Sequence, residues 1–187
     1  ADVAGKRAEV AAVTERAMAG ELDFAESLIE RVKTLAGLPE SVFADVQKRI
    51  TITTGAKRLI DSVHSAGGKV GAVSGGFNQL LTPLAEILEL DFARANQLEV
   101  VDGFLTGRVI GAIVDRQAKA DALIEWAAVT GTPIENTVAV GDGANDLSMM
   151  AAAGLGVGFN CKPIVREHAD FILEGNDLSK LTEKLGI

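Results

Sequence analysis

The sequence lacks several features, and each absence excludes a class of protein. Its one cysteine, Cys161, is too few for an internal disulfide or a thiolate zinc site, and it favours a reduced, cytoplasmic setting. Acidic residues outnumber basic ones by 26 to 18, and the formal net charge of −8 argues against a binder of duplex nucleic acid. No apolar stretch approaches the roughly 20 residues that cross a bilayer, and no signal-peptide pattern opens the chain.

The composition is that of a folded globular protein. Hydrophobic residues make up 48% of the 187 residues and charged residues 24%, which suits one ordinary domain or a domain with a small appendage. The chain starts without methionine, and Val10, Val13 and Ala17 already recur at helical spacing. We therefore expect the natural protein to have further residues upstream of Ala1.

Residues 1 to 49 predict helices only. Apolar side chains recur every three to four positions, as on one face of an amphipathic helix, at Phe24, Leu28, Val32 and Leu35. Asp23 precedes this run and predicts its N-terminal cap. A further helix is expected from residue 41 to about residue 50.

From Thr53 onward, strand patterns alternate with helix patterns. Helices are predicted over 57–64, 81–88, 119–129, 145–153, 163–167 and 178–185, and strands over 70–73, 98–101, 104–109, 137–140, 155–159 and 170–173. Asp102-Gly103 predicts the turn of a hairpin. The alternation is typical of an α/β fold, in which a parallel sheet carries helices on both faces. Ligands in such folds bind beyond the carboxyl ends of the strands.

Ser74-Gly75-Gly76 directly follows the strand predicted over 70–73. A hydroxyl and two glycine amides at the start of a helix form an anion-binding site, because those amides have no partner within the helix. A tight strand-to-helix turn that needs glycine for its backbone alone explains the same residues at least as well.

Lys119 lies near the start of a predicted helix. A cation is unfavourable at the positive end of the helix dipole, and a nearby anion would resolve that conflict. A solvated surface lysine is the simpler explanation of this residue by itself.

The stretch GDGAND at 141–146 places Asp142 and Asp146 at the end of a predicted buried strand. Clustered oxygens with small neighbours suit Mg²⁺, which typically takes one or two carboxylates with waters and phosphate oxygens. The alternative is a helix-capping acid followed by an acid in the first turn, but that arrangement does not require the whole set of six residues. Together, Ser74, Lys119 and Asp142 predict one phosphate site with a magnesium ion.

The chain contains SGGF at 74–77, Lys119, and GDGANDLSM at 141–149. These motifs resemble the second, third and fourth motifs of the haloacid dehalogenase (HAD) superfamily of phosphatases. Within it, the chain resembles the phosphoserine phosphatase family over nearly its whole length, through ELDFAESLIERV, AVSGGF, ANQLEVVDGFLTG and VAVGDGANDLSMMAAAGLGVGFNCKP. The resemblance implies a HAD-type Rossmann-like core over 51–187 and a small helical cap over 1–50. It also implies a Mg²⁺-dependent hydrolase that converts O-phospho-L-serine to L-serine and phosphate, the last step of serine biosynthesis.

The resemblance further implies roles for the residues of the core. Asp142 would bind Mg²⁺, and Asp146 would orient the waters of the metal or Lys119. Lys119 would neutralise the nucleophile and the transferring phosphoryl group. Asn145 would reach the phosphate or the rest of the substrate.

Other residues would bind the substrate directly. Ser74 and the amide of Gly75 would hold phosphate oxygens. In the cap, Arg31 would bind the substrate carboxylate, with Met18 and Phe24 packed over the substrate. Without the resemblance, Arg31 is most simply a surface arginine.

The first motif of the family, Asp-x-Asp, is absent, because no aspartate here has another two positions away. In the family its first aspartate attacks phosphorus and its second acts as general acid and base, on the central strand of the sheet. We expect that strand upstream of Ala1.

Three hypotheses stay open: a phosphoserine phosphatase, a phosphatase of another small amino-acid phosphate, and a non-catalytic phosphate- or metal-binding module that has lost its nucleophile. The sequence does not fix the oligomeric state, and a homodimer is compatible with it.

Overall fold

The computed structural model describes residues 5–18 and 21–187. Among these residues, the regular elements up to Ile50 are all helices. They are α1 (Arg7–Met18), α2 (Phe24–Lys33) and α3 (Val42–Gln47). Helix α2 begins as predicted, because the Asp23 carboxylate accepts the backbone N–H of Glu26 and the Glu26 carboxylate accepts that of Asp23. Leu28 and Val32 form its buried face.

Strands and helices alternate through the rest of the chain, as the sequence predicts. The elements are α4 (Ala56–Ser65), β1 (Gly71–Phe77), α5 (Asn78–Leu88), β2 (Phe92–Val101), β3 (Phe104–Ile110), α6 (Arg116–Thr130), β4 (Val138–Gly141), α7 (Leu147–Ala152), β5 (Leu155–Phe159), α8 (Pro163–Arg166), β6 (Phe171–Leu173) and α9 (Leu181–Leu185). Short 3-10 turns occupy Ile134–Asn136, Ala144–Asp146 and Leu178–Lys180.

Strand β1 is longer than predicted, and this changes the setting of the Ser74-Gly75-Gly76 segment. These residues lie within β1, and α5 begins only at Asn78. The prediction that they form the N-terminus of a helix is therefore wrong. The backbone stays extended here because the Asn96 side chain on β2 binds the carbonyls of Gly75 and Gly76.

The β2–β3 hairpin confirms its predicted turn. Val101 pairs with Phe104, and the two residues between them, Asp102 and Gly103, have φ angles of 50° and 79°. Positive φ at both positions gives a two-residue turn whose twist matches antiparallel strands. The hairpin belongs to a three-stranded sheet of order β1-β2-β3, and β2 begins six residues before its predicted start.

A second three-stranded sheet is parallel throughout, in the order β4-β5-β6. Ala139 packs on one face with Leu147 of α7. Its neighbours Val138 and Val140 pack on the other face, with Leu181 of α9. Successive side chains of a strand point to opposite faces, so helices cover both faces of this sheet. The predicted α/β class, a parallel sheet between helices, is confirmed.

The chain divides into two compact units. The first unit contains Ala1–Ile50, Ser74–Pro83 and Ala95–Asp115, and the second contains Thr51–Val73, Leu84–Arg94 and Arg116–Ile187. The predicted division into a cap over 1–50 and a core over 51–187 stays a prediction. Within residues 5–18 and 21–187, none of the helices has the length and apolar character needed to cross a bilayer.

Candidate active site

A buried ion pair occupies the end of β4 in the second unit. Lys119 Nζ on α6 donates to Asp146 Oδ1 at 2.6 Å, and only 8% and 7% of the two side chains are exposed. The other carboxylate oxygen of Asp146 accepts the backbone N–H groups of Asp142 at 3.1 Å and Gly143 at 3.2 Å. Both oxygens of the buried carboxylate therefore have donors, as a buried charge requires.

Two glycines of the 141–146 segment leave room for the side chains beside them. A Cβ on Gly141 would lie 2.4 Å from Cβ of Asp146, well inside van der Waals contact. A Cβ on Gly143 would lie 2.7 Å from Oδ1 of Asn145. The glycines of the motif are therefore explained by close approach of Asp146 and Asn145 to the backbone, and not by an unusual φ angle.

Asp142 is the free carboxylate of this segment. Its side chain is exposed and has no hydrogen-bond or ion-pair partner in the part of the chain that the structure describes. The described residues also contain no group of three or more His, Cys, Asp or Glu side chains suited to a metal ion. One free carboxylate fits Mg²⁺, which keeps several waters and takes further oxygens from phosphate. Asp142 by itself does not supply a complete set of protein ligands for the ion.

In the first unit, the buried Asn96 side chain holds the Ser74-Gly75-Gly76 segment. Its Nδ2 donates to the carbonyls of Gly75 at 2.9 Å and Gly76 at 3.2 Å, and its Oδ1 accepts the N–H of Val114 at 2.8 Å. Sequence reasoning missed Asn96. The available signal was weak, because β2 also contains Arg94, Gln97 and Glu99, and only the structure shows that Asn96 is the fully buried polar residue, whose amide requires hydrogen bonds.

The hydroxyl hydrogen of Ser74 has no acceptor among the described residues and can be donated to a ligand. Its Oγ accepts the N–H of Gly76 at 3.0 Å, and a hydroxyl that accepts one bond still has a hydrogen to donate. A Cβ on Gly75 would lie 3.1 Å from Cζ of Phe24, which is 40% exposed. The structure thus brings together two residues predicted to bind substrate, Gly75 and Phe24.

The other predicted cap residues have separate positions in the first unit. Arg31 lies on α2, where its Nε donates to the backbone carbonyl of Ser27 at 3.1 Å. No carboxylate pairs with Arg31 among the described residues, so its terminal guanidinium nitrogens are available to an anion. Met18 ends α1, and its side chain lies outside the described residues.

A second link between α6 and α7 was also missed. Arg116 Nε donates to Ser148 Oγ at 2.7 Å, three residues before Lys119 and two residues after Asp146. It links α6, which carries Lys119, to α7, which directly follows Asp146. Ser74 belongs to the first unit and Lys119 and Asp142 to the second, and their use of one phosphate stays a prediction.

Asp91 lies in a separate charged cluster, next to the start of β1. Partial burial raises the pKa of its carboxyl, but hydrogen bonds from Lys69, from the Val70 backbone and from His64 outweigh burial and lower the pKa to about 2. The cluster joins the end of α4 to the segments that lead into β1 and β2.

Comparison with known proteins identifies the family of the chain. A family model described as haloacid dehalogenase-like hydrolase matches residues 3–151. The chain belongs to this family. The buried Lys119–Asp146 pair and the free carboxylate of Asp142 lie on the HAD segments that the sequence singled out.

Several HAD relatives are phosphoserine phosphatases. SerB2 of Mycobacterium tuberculosis is 53% identical over 98% of this chain and 45% of its own length. The phosphoserine phosphatase of Streptococcus thermophilus is 52% identical over 97% of this chain and 85% of its own length. A solved phosphoserine phosphatase structure, described as a phospho-aspartyl intermediate analogue, has a TM-score of 0.88 at 43% identity and covers 98% of this chain and 88% of that chain. The chain spans less than half the length of the M. tuberculosis relative.

Proposed function

We propose that this chain belongs to a Mg²⁺-dependent phosphomonoesterase that hydrolyses O-phospho-L-serine to L-serine and phosphate. The buried Lys119–Asp146 pair beside the free carboxylate of Asp142 carries the proposal. The substrate follows from the relatives described above, which are phosphoserine phosphatases.

Charge neutralisation explains the roles of the second-unit residues. Mg²⁺, when bound, would offset the negative charge of the phosphoryl group so that a carboxylate can attack it. Asp142 would hold this ion. Asp146 keeps the Lys119 ammonium buried and in one orientation, where it can meet a developing negative charge without the cost of reorganisation.

The first-unit residues would bind the substrate. Ser74 Oγ–H and the amide of Gly75 would donate to phosphate oxygens, on a backbone held by Asn96. The guanidinium of Arg31 would bind the substrate carboxylate, since its planar fork can donate two parallel hydrogen bonds.

The attacking group of HAD phosphatases is an aspartate of an Asp-x-Asp motif, which these 187 residues do not contain. In the full-length protein, this aspartate would form an aspartyl-phosphate that water then hydrolyses, as the intermediate analogue of a relative suggests. A cytoplasmic location, a homodimeric state and a place at the end of serine synthesis stay predictions.

The test is phosphate release by the full-length protein. We expect phosphoserine to give the highest kcat/KM among phosphoserine, phosphothreonine and phosphohomoserine, and chelation of Mg²⁺ to stop turnover reversibly. A higher kcat/KM for another of these compounds would favour the second hypothesis, a sister phosphatase. Binding of phosphate without turnover of any of them, in a protein with an Asp-x-Asp motif, would contradict both.

A further inference from the structure

Lys162 presents a second cation to the 141–146 segment. It follows β5, and its backbone N–H donates to the carbonyl of Asp142 at 2.9 Å. This bond fixes the start of the Lys162 side chain next to the residue proposed to hold Mg²⁺. Pro163, the first residue of α8, further restricts the backbone at this position.

The side chain of Lys162 reaches back over Gly143. A Cβ on Gly143 would lie 3.9 Å from Nζ of Lys162 and 2.7 Å from Oδ1 of Asn145. Because Gly143 has no side chain, the Lys162 ammonium and the Asn145 amide can both lie close to its backbone. Asn145 is itself one of the residues expected to reach the phosphate.

Among the residues that the structure describes, this ammonium group has no anionic partner. In the described residues no carboxylate oxygen lies within ion-pair distance of Lys162 Nζ, although the Asp142 backbone is hydrogen-bonded to the Lys162 backbone. Lys69, by contrast, pairs with Asp91, and Lys119 with Asp146. The backbones of Lys162 and Asp142 are hydrogen-bonded, but no ion pair joins their side chains in the described residues, so both charged groups are available to a ligand.

The charges of the proposed complex favour a phosphate as the ligand of Lys162. Asp142 carries one negative charge and a phosphate monoester carries two, and the attacking aspartate of the full-length protein adds a fourth. A magnesium ion offsets two of these four charges, and Lys119 is shared with Asp146. A further cation beside the phosphoryl group is therefore favourable, and Lys162 can supply it.

The geometry points to Lys162 as a phosphate-binding residue that contacts the phosphoryl oxygens of the substrate and of the released inorganic phosphate. This inference rests on the proposed phosphatase function and adds a residue to it. Because Lys162 would contact the phosphoryl group before and after the reaction alike, it contributes to ground-state binding, so KM changes more than kcat when it is removed.

The experiment compares Lys162→Met, Lys162→Gln and Lys162→Arg with Lys180→Met in the full-length protein. Lys180 is an exposed lysine of the same unit, in the 3-10 turn Leu178–Lys180, outside the 141–146 segment. Lys162 is exposed, and its side chain has no hydrogen-bond or ion-pair partner among the described residues. Circular dichroism would verify that all four variants are folded.

Loss of one charge-assisted hydrogen bond should raise the KM for phosphoserine and the inhibition constant for inorganic phosphate by about tenfold in Lys162→Met and Lys162→Gln. We expect kcat to change much less, and the increase to shrink at high ionic strength, because salt screens an exposed charge. Lys162→Arg should restore most of the affinity, and Lys180→Met should behave as wild type.

Two failures are distinguishable. If wild type hydrolyses phosphoserine but Lys162→Met binds substrate and inorganic phosphate as Lys180→Met does, the role of Lys162 is refuted and the phosphatase function stands. If wild type hydrolyses none of the amino-acid phosphates, the proposed function fails. Weaker binding of inorganic phosphate to Lys162→Met, measured by calorimetry, would then still support an anion site at Lys162, and unchanged binding would refute it.

Discussion

Replacing either member of the Lys119–Asp146 pair should destabilise the protein strongly, because each would leave a buried charge alone. Lys119→Met removes the ammonium but keeps a side chain of similar length. Asp146→Asn removes the negative charge but keeps the shape of the carboxylate. With 8% and 7% of the side chains exposed, water cannot replace either lost partner.

The structure sets the magnitude. Removal of one partner of a buried ion pair costs about 3–5 kcal/mol in the free energy of unfolding. In Lys119→Met, Asp146 still accepts two backbone N–H groups, so its cost should lie near 3 kcal/mol, at the lower end of that range. In Asp146→Asn, the amide has two possible orientations. Its NH₂ group faces the Lys119 ammonium in one and the two backbone N–H groups in the other, so a donor faces a donor in both.

The double variant decides whether the pair acts as a unit. With both charges removed, no buried charge is left, and we expect a cost of roughly 2 kcal/mol, which is less than either single change. The coupling energy between the two positions should therefore be at least about 4 kcal/mol, because the two single costs of about 3 kcal/mol or more together exceed that of the double variant by this amount. Replacing the exposed pair Lys57–Asp61 in the same way is the matched control, and it should change stability far less.

The assay is urea unfolding followed by circular dichroism, with the slope checked for a two-state transition. Single variants that each lose less than about 1 kcal/mol, or a double variant whose loss equals the sum of the singles, would refute the assignment of a buried, mutually dependent pair. Neither outcome depends on catalytic activity, so the result stands apart from the proposed function.

Three further predictions concern other parts of the molecule. Asn96→Leu should lower the free energy of unfolding by roughly 2–4 kcal/mol, because it leaves buried backbone groups unpaired; a loss in urea unfolding no larger than that of an exposed-site variant would contradict this. Gly141→Ala should cost about 1–3 kcal/mol by overpacking against Asp146, and unchanged stability and phosphate release would show that the segment can adjust. Asp91 has a pKa lowered to about 2, so its contribution is present above about pH 4 and lost as the pH falls towards about 2. Asp91→Asn should therefore be less stable by about 2 kcal/mol at neutral pH and converge with wild type in acid; a constant difference in urea unfolding across this range would disprove the pKa assignment.

The sequence predicted the order of the elements because hydrophobic periodicity is a local property. The strands and helices after Thr53 occur in the order that their patterns indicated, although β1 ends later and β2 begins earlier than predicted. Asp102-Gly103 forms the expected turn because both residues adopt positive φ. The error at β1 has a physical cause. Glycines commonly end a strand, but here a side chain from another strand, Asn96, binds their carbonyls and keeps the backbone extended.

The candidate site was predictable where its residues share one segment. Asp142, Asn145 and Asp146 fall within five consecutive positions, and this spacing alone indicated an oxygen-rich site. Lys162 lies sixteen residues beyond Asp146 and was missed, because its approach to Gly143 depends on the parallel pairing of β4 with β5.

The sequence by itself determined the α/β class, the family motifs and the residue types available for chemistry, since these depend on periodicity and on short-range spacing. Only the tertiary structure decided which of those groups are buried, paired or free. Lys119 and Asp146 form a buried ion pair because packing excludes water around both, whereas Asp142 and Lys162 are exposed and have no ion-pair partner among the described residues. Burial is a property of the packed chain, and it separates a lysine committed to an ion pair from one available to a ligand.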